Sequence, residues 1–357
     1  MASELLVNVG AGETRAALVE DGVLQAYAAE PATGNQTRTG NIYMGRITRV
    51  MTAMQVAFVD IGQNRDGFLS LRDAPALHEG AALAVQVTRP AMGEKGAKLT
   101  ARMALTPELE ARAKMAKPPA LLSEGPDLAQ QVARDWKADQ LFTDDARTAQ
   151  RLKMELAKDD LFLRHDLEDQ IAALHRPRVA LACGGWITIE QTEGLTAIDV
   201  NSGGFAASGG RAETARVVNL EAALEAGRQI RLRGIGGLIV LDFIQTEQGD
   251  EVAAALGRAL ARDAAHSEIL PMNSLGIVCV ARQRLATPLP PRDVVAEILR
   301  AVERSARAAP GREVTVRAAA ETTARLDRPE IRAGLDRRGV GRVRYISEVR
   351  RDFDVGT

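Results

Sequence analysis

Residues 195–243 read LTAIDVNSGGFAASGGRAETARVVNLEAALEAGRQIRLRGIGGLIVLDF. LTAIDVN has the length and composition of a strand, and SGGFAASGG is a glycine-rich loop. ETARVVNLEAALEAGRQIRLR then carries apolar residues at helical spacing, and GGLIVLDFI is an apolar, strand-length run broken by one acid. The pattern continues on both sides. VALAC and GWITIEQ precede it as strands, DEVAAALGRALARD follows as a helix and LGIVCVARQ as a strand. Strands and helices in this order predict an α/β layered domain.

The same stretch holds the candidate chemistry. A run as apolar as 238–243 is expected to be buried on both faces. Asp242 inside it therefore needs a cation, hydrogen bonds or a proton, because an unpaired buried carboxylate is very costly. In 195–201 alternate side chains share a face, so Asp199 and Asn201 point the same way. Two such strand ends, side by side, would bring Asp199, Asn201 and Asp242 to one point. That donor set suits a magnesium ion completed by water and substrate phosphate. The alternative at either aspartate is a cap on a neighbouring helix or turn. Arg228, Arg231 and Arg233 end the long helix. They can complement its C-terminal dipole, or Arg233 can reach a scissile phosphate with its two-pronged guanidinium. The loop after Asp199 lacks the GKS or GKT of a Walker loop.

Upstream, residues 4–9 and 14–19 form a hairpin around GAGE, with 24–28 as a third strand. NIYMGRITRV, MQVAFVDIG, DGFLSL and AALAVQVTRP then follow in quick succession, which suggests a small barrel. Tyr43, Phe58 and Phe68 stand out there, since the chain has only 2 Trp, 3 Tyr and 7 Phe. Each can stack on bases of single-stranded nucleic acid or fill the core. Lys95 and Lys98 can hold its backbone or be solvated. Residues 105–175 read as helical, opening with the cap pair Thr106-Pro107. After a proline-rich linker, LATPLPP, come a helix (293–306), a strand (313–318) and a mixed end.

Composition excludes other classes. No stretch approaches the ~20 apolar residues of a membrane helix, and MASELLVNVG has no basic leader region, so the cytoplasm is expected. Cys183 and Cys279 lie far apart and the 4 His are scattered, which gives neither a disulfide framework nor zinc-ligand spacing. Any metal should be hard and oxygen-bound. Net charge is -1. Residues 282–357, however, hold 17 Arg, no Lys and 11 Asp+Glu, hence 17 − 11 = +6, against −7 for the rest. These arginines are either solvated helix faces or contacts to phosphate.

Taken together, GNIYMGRITRVMTAMQVAFVDIGQNRDGFLSL resembles the RNA-binding barrel of the ribonuclease E/G family. EGLTAIDVNSGG, NLEAALEAGRQIRLRGIGGLIVLDFI and ARQRL resemble its catalytic core, and LFLRHDLEDQI the helical segment before that core. The resemblance implies an α+β multidomain chain. Residues 1–38 and 105–175 would form an RNase-H-like subdomain, with an OB-type barrel (39–104) inserted. A deoxyribonuclease-I-like α/β subdomain (176–290) and a small α/β C-terminal domain (291–357) would follow. It implies magnesium on Asp199 and Asp242, supported by Asn201; manganese is an allowed substitute, and Arg233 is the catalytic candidate that its place at the end of the long helix adds. It implies RNA contacts at Phe58, Phe68 and Lys95, to which the aromatic count adds Tyr43. The implied activity is hydrolysis of single-stranded, AU-rich RNA at internal positions, leaving 5′-phosphate and 3′-hydroxyl ends, in RNA processing or decay. Three departures qualify this. Only ARMALTPELEARAKMAKPPALL stands where the family has a subdomain sensing a 5′-monophosphate through an Arg-Thr motif, and His266 or Ser267 falls where a second sensor arginine is expected. No 5′-end sensing is therefore expected. The CPxCxGxG zinc link is missing, so zinc is not expected and nor is a zinc-linked tetramer, while a homodimer remains allowed. Gln245 stands where an acid often follows the second metal aspartate. The competing expectation is an RNA-binding module with weak or lost cleavage.

Overall fold

In a computed structural model the described residues are 2–32, 37–74, 77–91, 95–262, 265–284, 289, 292–349 and 352–357. The linker LATPLPP lies outside them apart from Leu289. The chain forms two units, Met1–Glu30 with Trp136–Thr357, and Pro31–Asp135.

The first unit begins with β1 (Ser3–Val9), β2 (Glu13–Glu20) and β3 (Val23–Pro31). β1 and β2 pair antiparallel and β3 lies beside β2. Asp21 and Gly22, both with positive φ, make the turn into β3, the geometry that tight hairpins favour.

The second unit is built on β4 (Ile42–Met51), β5 (Val56–Asp60), β6 (Gly67–Ser70), β7 (Ala82–Arg89) and β8 (Lys98–Thr100). Their hydrogen bonds close a ring in the order β4-β5-β6-β8-β7-β4, antiparallel except between β6 and β8. A closed five-stranded barrel of this kind is compatible with an OB-type domain. Tyr43, Ile47, Val59, Leu69, Val85 and Leu99 fill it. Helix α1 (Pro107–Met115), capped by Thr106, leads to β9 (Ala120–Ser123), which pairs with β4, and then to α2 (Leu128–Asp135).

Back in the first unit, β10 (Gln140–Thr143) runs parallel to β1, and β11 (Glu155–Leu156) follows α3 (Ala146–Leu152) to extend the sheet as β11-β10-β1-β2-β3. The short helices α4 (Leu161–Arg164) and α5 (Leu167–Ala173) cover it through Leu161, Phe162, Leu167 and Ile171, packed on Leu6, Ala17 and Val19. Residues 105–175 are thus not uniformly helical, since three strands interrupt them. Only 140–173 complete the hairpin's sheet, whereas α1, β9 and α2 fall in the barrel's unit.

A six-stranded sheet follows, in the order β12-β13-β14-β15-β17-β16. Its strands and helices are β12 (Arg178–Ala180), β13 (Trp186–Gln191), β14 (Leu195–Asn201), α6 (Gly210–Leu232), β15 (Gly237–Asp242), α7 (Gly249–Leu260), β16 (Ser267–Ile269) and β17 (Ile277–Arg282). β14 and β15, joined through α6, are parallel. Ile187, Ile198, Ile239, Leu241, Val278 and Val280 point from the sheet into α6 and α7, where Val218, Ala222, Ala226, Val252 and Leu256 meet them. The opposite face is open: Leu238 is 46% exposed. The expectation that 238–243 is buried on both faces therefore does not hold, because helices cover one face only.

The last segment, α8 (Val294–Ala308), β18 (Val314–Ala318), α9 (Ala320–Leu326), α10 (Pro329–Arg337), β19 (Val343–Ser347) and β20 (Asp354–Gly356), forms a three-stranded sheet, β19-β18-β20, with its own core. Ala11, from the β1–β2 loop, belongs to that core. Many of the segment's arginines face carboxylates. Arg307 and Arg338 meet Asp144, Arg304 meets Glu168, Arg300 meets Glu13, and Arg292 meets Glu297.

Candidate active site and nucleic-acid interface

The register of the second sheet brings the two aspartates together. Asp199 and Asp242 are direct cross-strand partners on the parallel pair β14–β15. Neighbouring strands lie about 4.8 Å apart and directly opposed residues share a face. Both aspartates sit on the open face and both are exposed. Asp242 is therefore not the buried charge that the apolar run around it suggested. Asn201, two residues on from Asp199 and on the same face, donates its Nδ2 to Asp199 Oδ2 at 2.5 Å. Asp199, Asp242 and Asn201 thus share one face, the arrangement expected if the two strand ends lay side by side.

The backbone just past Asp242 is held by a residue that the sequence reading passed over. Asn219, fully buried on α6, donates Nδ2 to Ile244 O at 2.6 Å and accepts from Ile244 N at 3.0 Å. A single side-chain amide thereby replaces a sheet partner for the backbone just past β15. A polar residue within an apolar helical stripe was the available signal. On the other side, Gly276 has φ +88, and a Cβ there would stand 2.6 Å from Phe243 O, so only glycine lets the loop before β17 pass this close. Gln245 donates to Ser274 O at 3.2 Å in the same loop.

Arg233 does not join this group. It caps the C-terminal end of α6, 8% exposed, with Nε donating to Gln229 Oε1 and Nη2 to Arg176 O, both at 2.8 Å. Burial pulls its pKa down against the opposing pull of Glu225. It precedes the start of β15, whereas Asp242 ends that strand, about 17 Å further along at ~3.3 Å per residue. The dipole reading of this arginine is the one its contacts support.

The donor set is suited to a hard divalent cation. Two exposed carboxylates supply oxygen ligands, and a magnesium ion takes one or two of these plus water and phosphate rather than a full protein cage. Among the described residues no group of three or more His, Cys, Asp or Glu is placed to hold a metal ion.

In the barrel, Phe58 on β5 and Phe68 on β6 are cross-strand partners. Arg49 pairs with Phe58 from one side and Lys98 with Phe68 from the other. Four strands therefore present the row Arg49, Phe58, Phe68, Lys98, with Phe68 38% exposed and both cations exposed. Aromatics between cations make a surface on which bases stack while phosphates are neutralised. Lys95 is exposed just before β8. Arg49 was missed: it needed the strand register, which its own neighbourhood does not reveal. Tyr43 is corrected. It is 1% exposed in the barrel core, with its hydroxyl accepting from Asn41 Nδ2 at 2.9 Å, so it can touch no base.

Comparison with known proteins accords with this layout. A family model described as the ribonuclease E/G family matches residues 91–285, more than half of the chain. Ribonuclease G of Escherichia coli (strain K12) is 27% identical over 393 aligned positions, covering 80% of this chain and 80% of that protein. Ribonuclease G of Haemophilus influenzae is 28% identical over 392 positions, covering 79% and 80%. Ribonuclease E of Escherichia coli (strain K12) is 27% identical over 385 positions, covering 78% of this chain but 36% of that longer protein. The chain belongs to the ribonuclease E/G family of endoribonucleases.

Proposed function

We propose that this protein is a magnesium-dependent endoribonuclease of RNA processing or decay, working in the cytoplasm on single-stranded, AU-rich RNA without sensing its 5′ end. The observation that carries the reading is the cross-strand pairing of Asp199 with Asp242 on the open sheet face, with Asn201 bonded to the first. Asp199 and Asp242 hold the cation, and Asn201 fixes the orientation of Asp199. Magnesium, when bound, lowers the pKa of water and offsets the charge that grows on the phosphate. Water attacks phosphorus, the bond from phosphorus to the 3′-oxygen breaks, and the departing oxygen takes up a proton. The fragments carry a 5′-phosphate and a 3′-hydroxyl. In the barrel, Phe58 and Phe68 stack bases, while Arg49, Lys95 and Lys98 hold backbone phosphates. The subdomain assignment follows the same reading: RNase-H-like for the first sheet, OB-type for the barrel and deoxyribonuclease-I-like for the sheet of β12–β17.

The test is incubation with a fluorescent single-stranded AU-rich RNA, with and without magnesium, carrying a 5′-monophosphate or a 5′-hydroxyl. We expect internal cuts that need magnesium, proceed equally on both RNAs, and vanish in Asp199→Asn and Asp242→Asn with the melting temperature unchanged. Gln245, three residues after Asp242 and bonded to Ser274 O where an acid could have joined the site, favours one other reading, an RNA-binding module with reduced cleavage. Tight binding of this RNA with no cut under any divalent cation would establish that reading instead.

A further inference from the structure

The edge of the same sheet carries a cation that neither the fold nor the two-aspartate chemistry uses. Following the register outward from Asp242, Asp199 is its partner on β14, Thr188 is the partner of Asp199 on β13, and Arg178 is the partner of Thr188 on β12. Directly opposed residues share a face. Arg178, Thr188, Asp199 and Asp242 therefore form one row across the open side of the sheet. The adjacent row is Ala180, Trp186 and Asn201. Trp186 thus stands diagonally across from Arg178, within reach of a long side chain, and beside the asparagine that orients Asp199.

Arg178 lies on that indole. Its Cζ is 3.8 Å from the centre of the Trp186 ring, which holds the guanidinium by a cation–π contact. The ring is itself fixed. A Cβ at Gly203, in the loop leaving β14, would stand 2.9 Å from Cζ3 of Trp186, so the backbone there packs against the ring edge. Among the described residues the side chain of Arg178 makes no hydrogen bond or ion pair, and the residue is exposed. Arg15, Arg216, Arg228, Arg262 and Arg338 of this unit, by contrast, meet carboxylates. Here an arginine is held in place by an apolar surface, which leaves its five N–H donors open to a ligand.

We propose that Arg178, held flat on Trp186, is a substrate-binding arm that takes an RNA backbone phosphate next to the scissile one. This rests on the reading of Asp199 and Asp242 as the cleavage centre. The distance supports it. Two strand spacings separate Arg178 from Asp199, about 10 Å between backbones, which sets the guanidinium beside the two carboxylates, where the neighbouring phosphate of a bound strand would pass. The row also orders the charges sensibly: a cation at the edge draws the polyanion over two carboxylates that would otherwise repel it. A planar, two-pronged donor fits phosphate in a way that lysine does not. Trp186 is a positioning residue that sets the plane of the fork.

The experiment uses the full chain and the AU-rich RNA in two arms. In the first, steady-state cleavage with magnesium is measured for Arg178→Ala, Arg178→Lys and Trp186→Leu. We expect Arg178→Ala to raise KM about tenfold, as loss of a charge-assisted hydrogen bond does, with kcat held. Arg178→Lys should recover part of this, and Trp186→Leu should raise KM although the arginine is present. In the second arm, RNA binding is titrated at several salt concentrations in the cleavage-dead Asp199→Asn, Asp242→Asn chain with and without Arg178→Ala. Loss of one phosphate contact should reduce the slope of log K against log salt by about 0.7. Unchanged KM and unchanged slope, in a chain that cuts normally, would overturn the proposal. A chain that never cuts would sink the nuclease reading alone, since the second arm still decides whether Arg178 grips phosphate.

Discussion

Single residues show where strand alternation informs and where it stops. Tyr43, Phe58 and Phe68 look alike in the sequence, as scarce aromatics in strand-like runs. The structure separates them by side: Tyr43 points into the barrel, and the two phenylalanines meet on its outer surface. Phe58→Ala and Phe68→Ala should each weaken binding of a short single-stranded RNA by ~1–3 kcal/mol, the worth of one stacked base. Tyr43→Phe should leave it unchanged. Fluorescence anisotropy reads all three, and a loss in Tyr43→Phe equal to the others would put the contact surface elsewhere. Asp242 teaches the complementary point. Its neighbours Leu241 and Phe243 are buried, but a strand end under helices on one face alone leaves the residue between them in water. Composition around a residue reports the burial of its neighbours, and only topology reports its own.

Elements were legible in proportion to their length and to how far local pattern fixes them. β14, α6, β15, α7 and β17 emerge close to their expected bounds because each carries a full apolar face. β8, β9, β10, β11 and β16 are two to four residues long and exist through the strand they pair with rather than through a pattern of their own, so no window of residues announces them. This is why 105–175 read as helix throughout. The pairing of Asp199 with Asp242 was likewise only half legible: the strands were evident, but not that they are parallel and in register. The contact of α6 with α7 adds a detail that periodicity hides. A Cβ at Gly227 would stand 2.4 Å from Cβ of Ala259, so the helices touch backbone to side chain at this point. Gly227→Val should lower stability by ~1–3 kcal/mol, as overpacking does, with a parallel fall in cleavage as the layer beneath β15 shifts. Urea denaturation measures the first, and an unaltered midpoint would show that the helices separate freely.

Across the first unit, charge is organised around the join between the last segment and the first sheet. Glu303 of α8, 6% exposed, accepts from Ala11 N at 2.6 Å and faces Arg338 at 3.3 Å. Burial pushes its carboxyl pKa up, against the Ala11 N–H and Arg338, which draw it down, and with Asp144, which adds to the rise. A folded pKa above the unfolded one means that the folded chain holds this proton more tightly. The stabilisation is complete below the ordinary 4.5 and is lost as pH rises through the folded value. Relative to Glu303→Gln, which has no such titration, the native chain should therefore lose stability between about pH 4 and neutrality. Urea midpoints for both chains across that range test it; a native chain that gains on the variant as pH rises would show that the arginines dominate. Part of the +6 excess read in the sequence is answered here, since Arg300, Arg304, Arg307 and Arg338 meet Glu13, Glu168 and Asp144 outside the segment. The same join has a temporal side. Ribosomes deliver the β1–β2 loop hundreds of residues before α8, so during synthesis the Ala11 N–H waits for Glu303, while Asp144 and Glu168 already have Asn8, Val9 and Arg15 and gain their later arginines last. A translation product cut short before Glu303 would therefore keep the strands of the first sheet but leave the β1–β2 loop, with Ala11 uncovered, as the place where a protease enters.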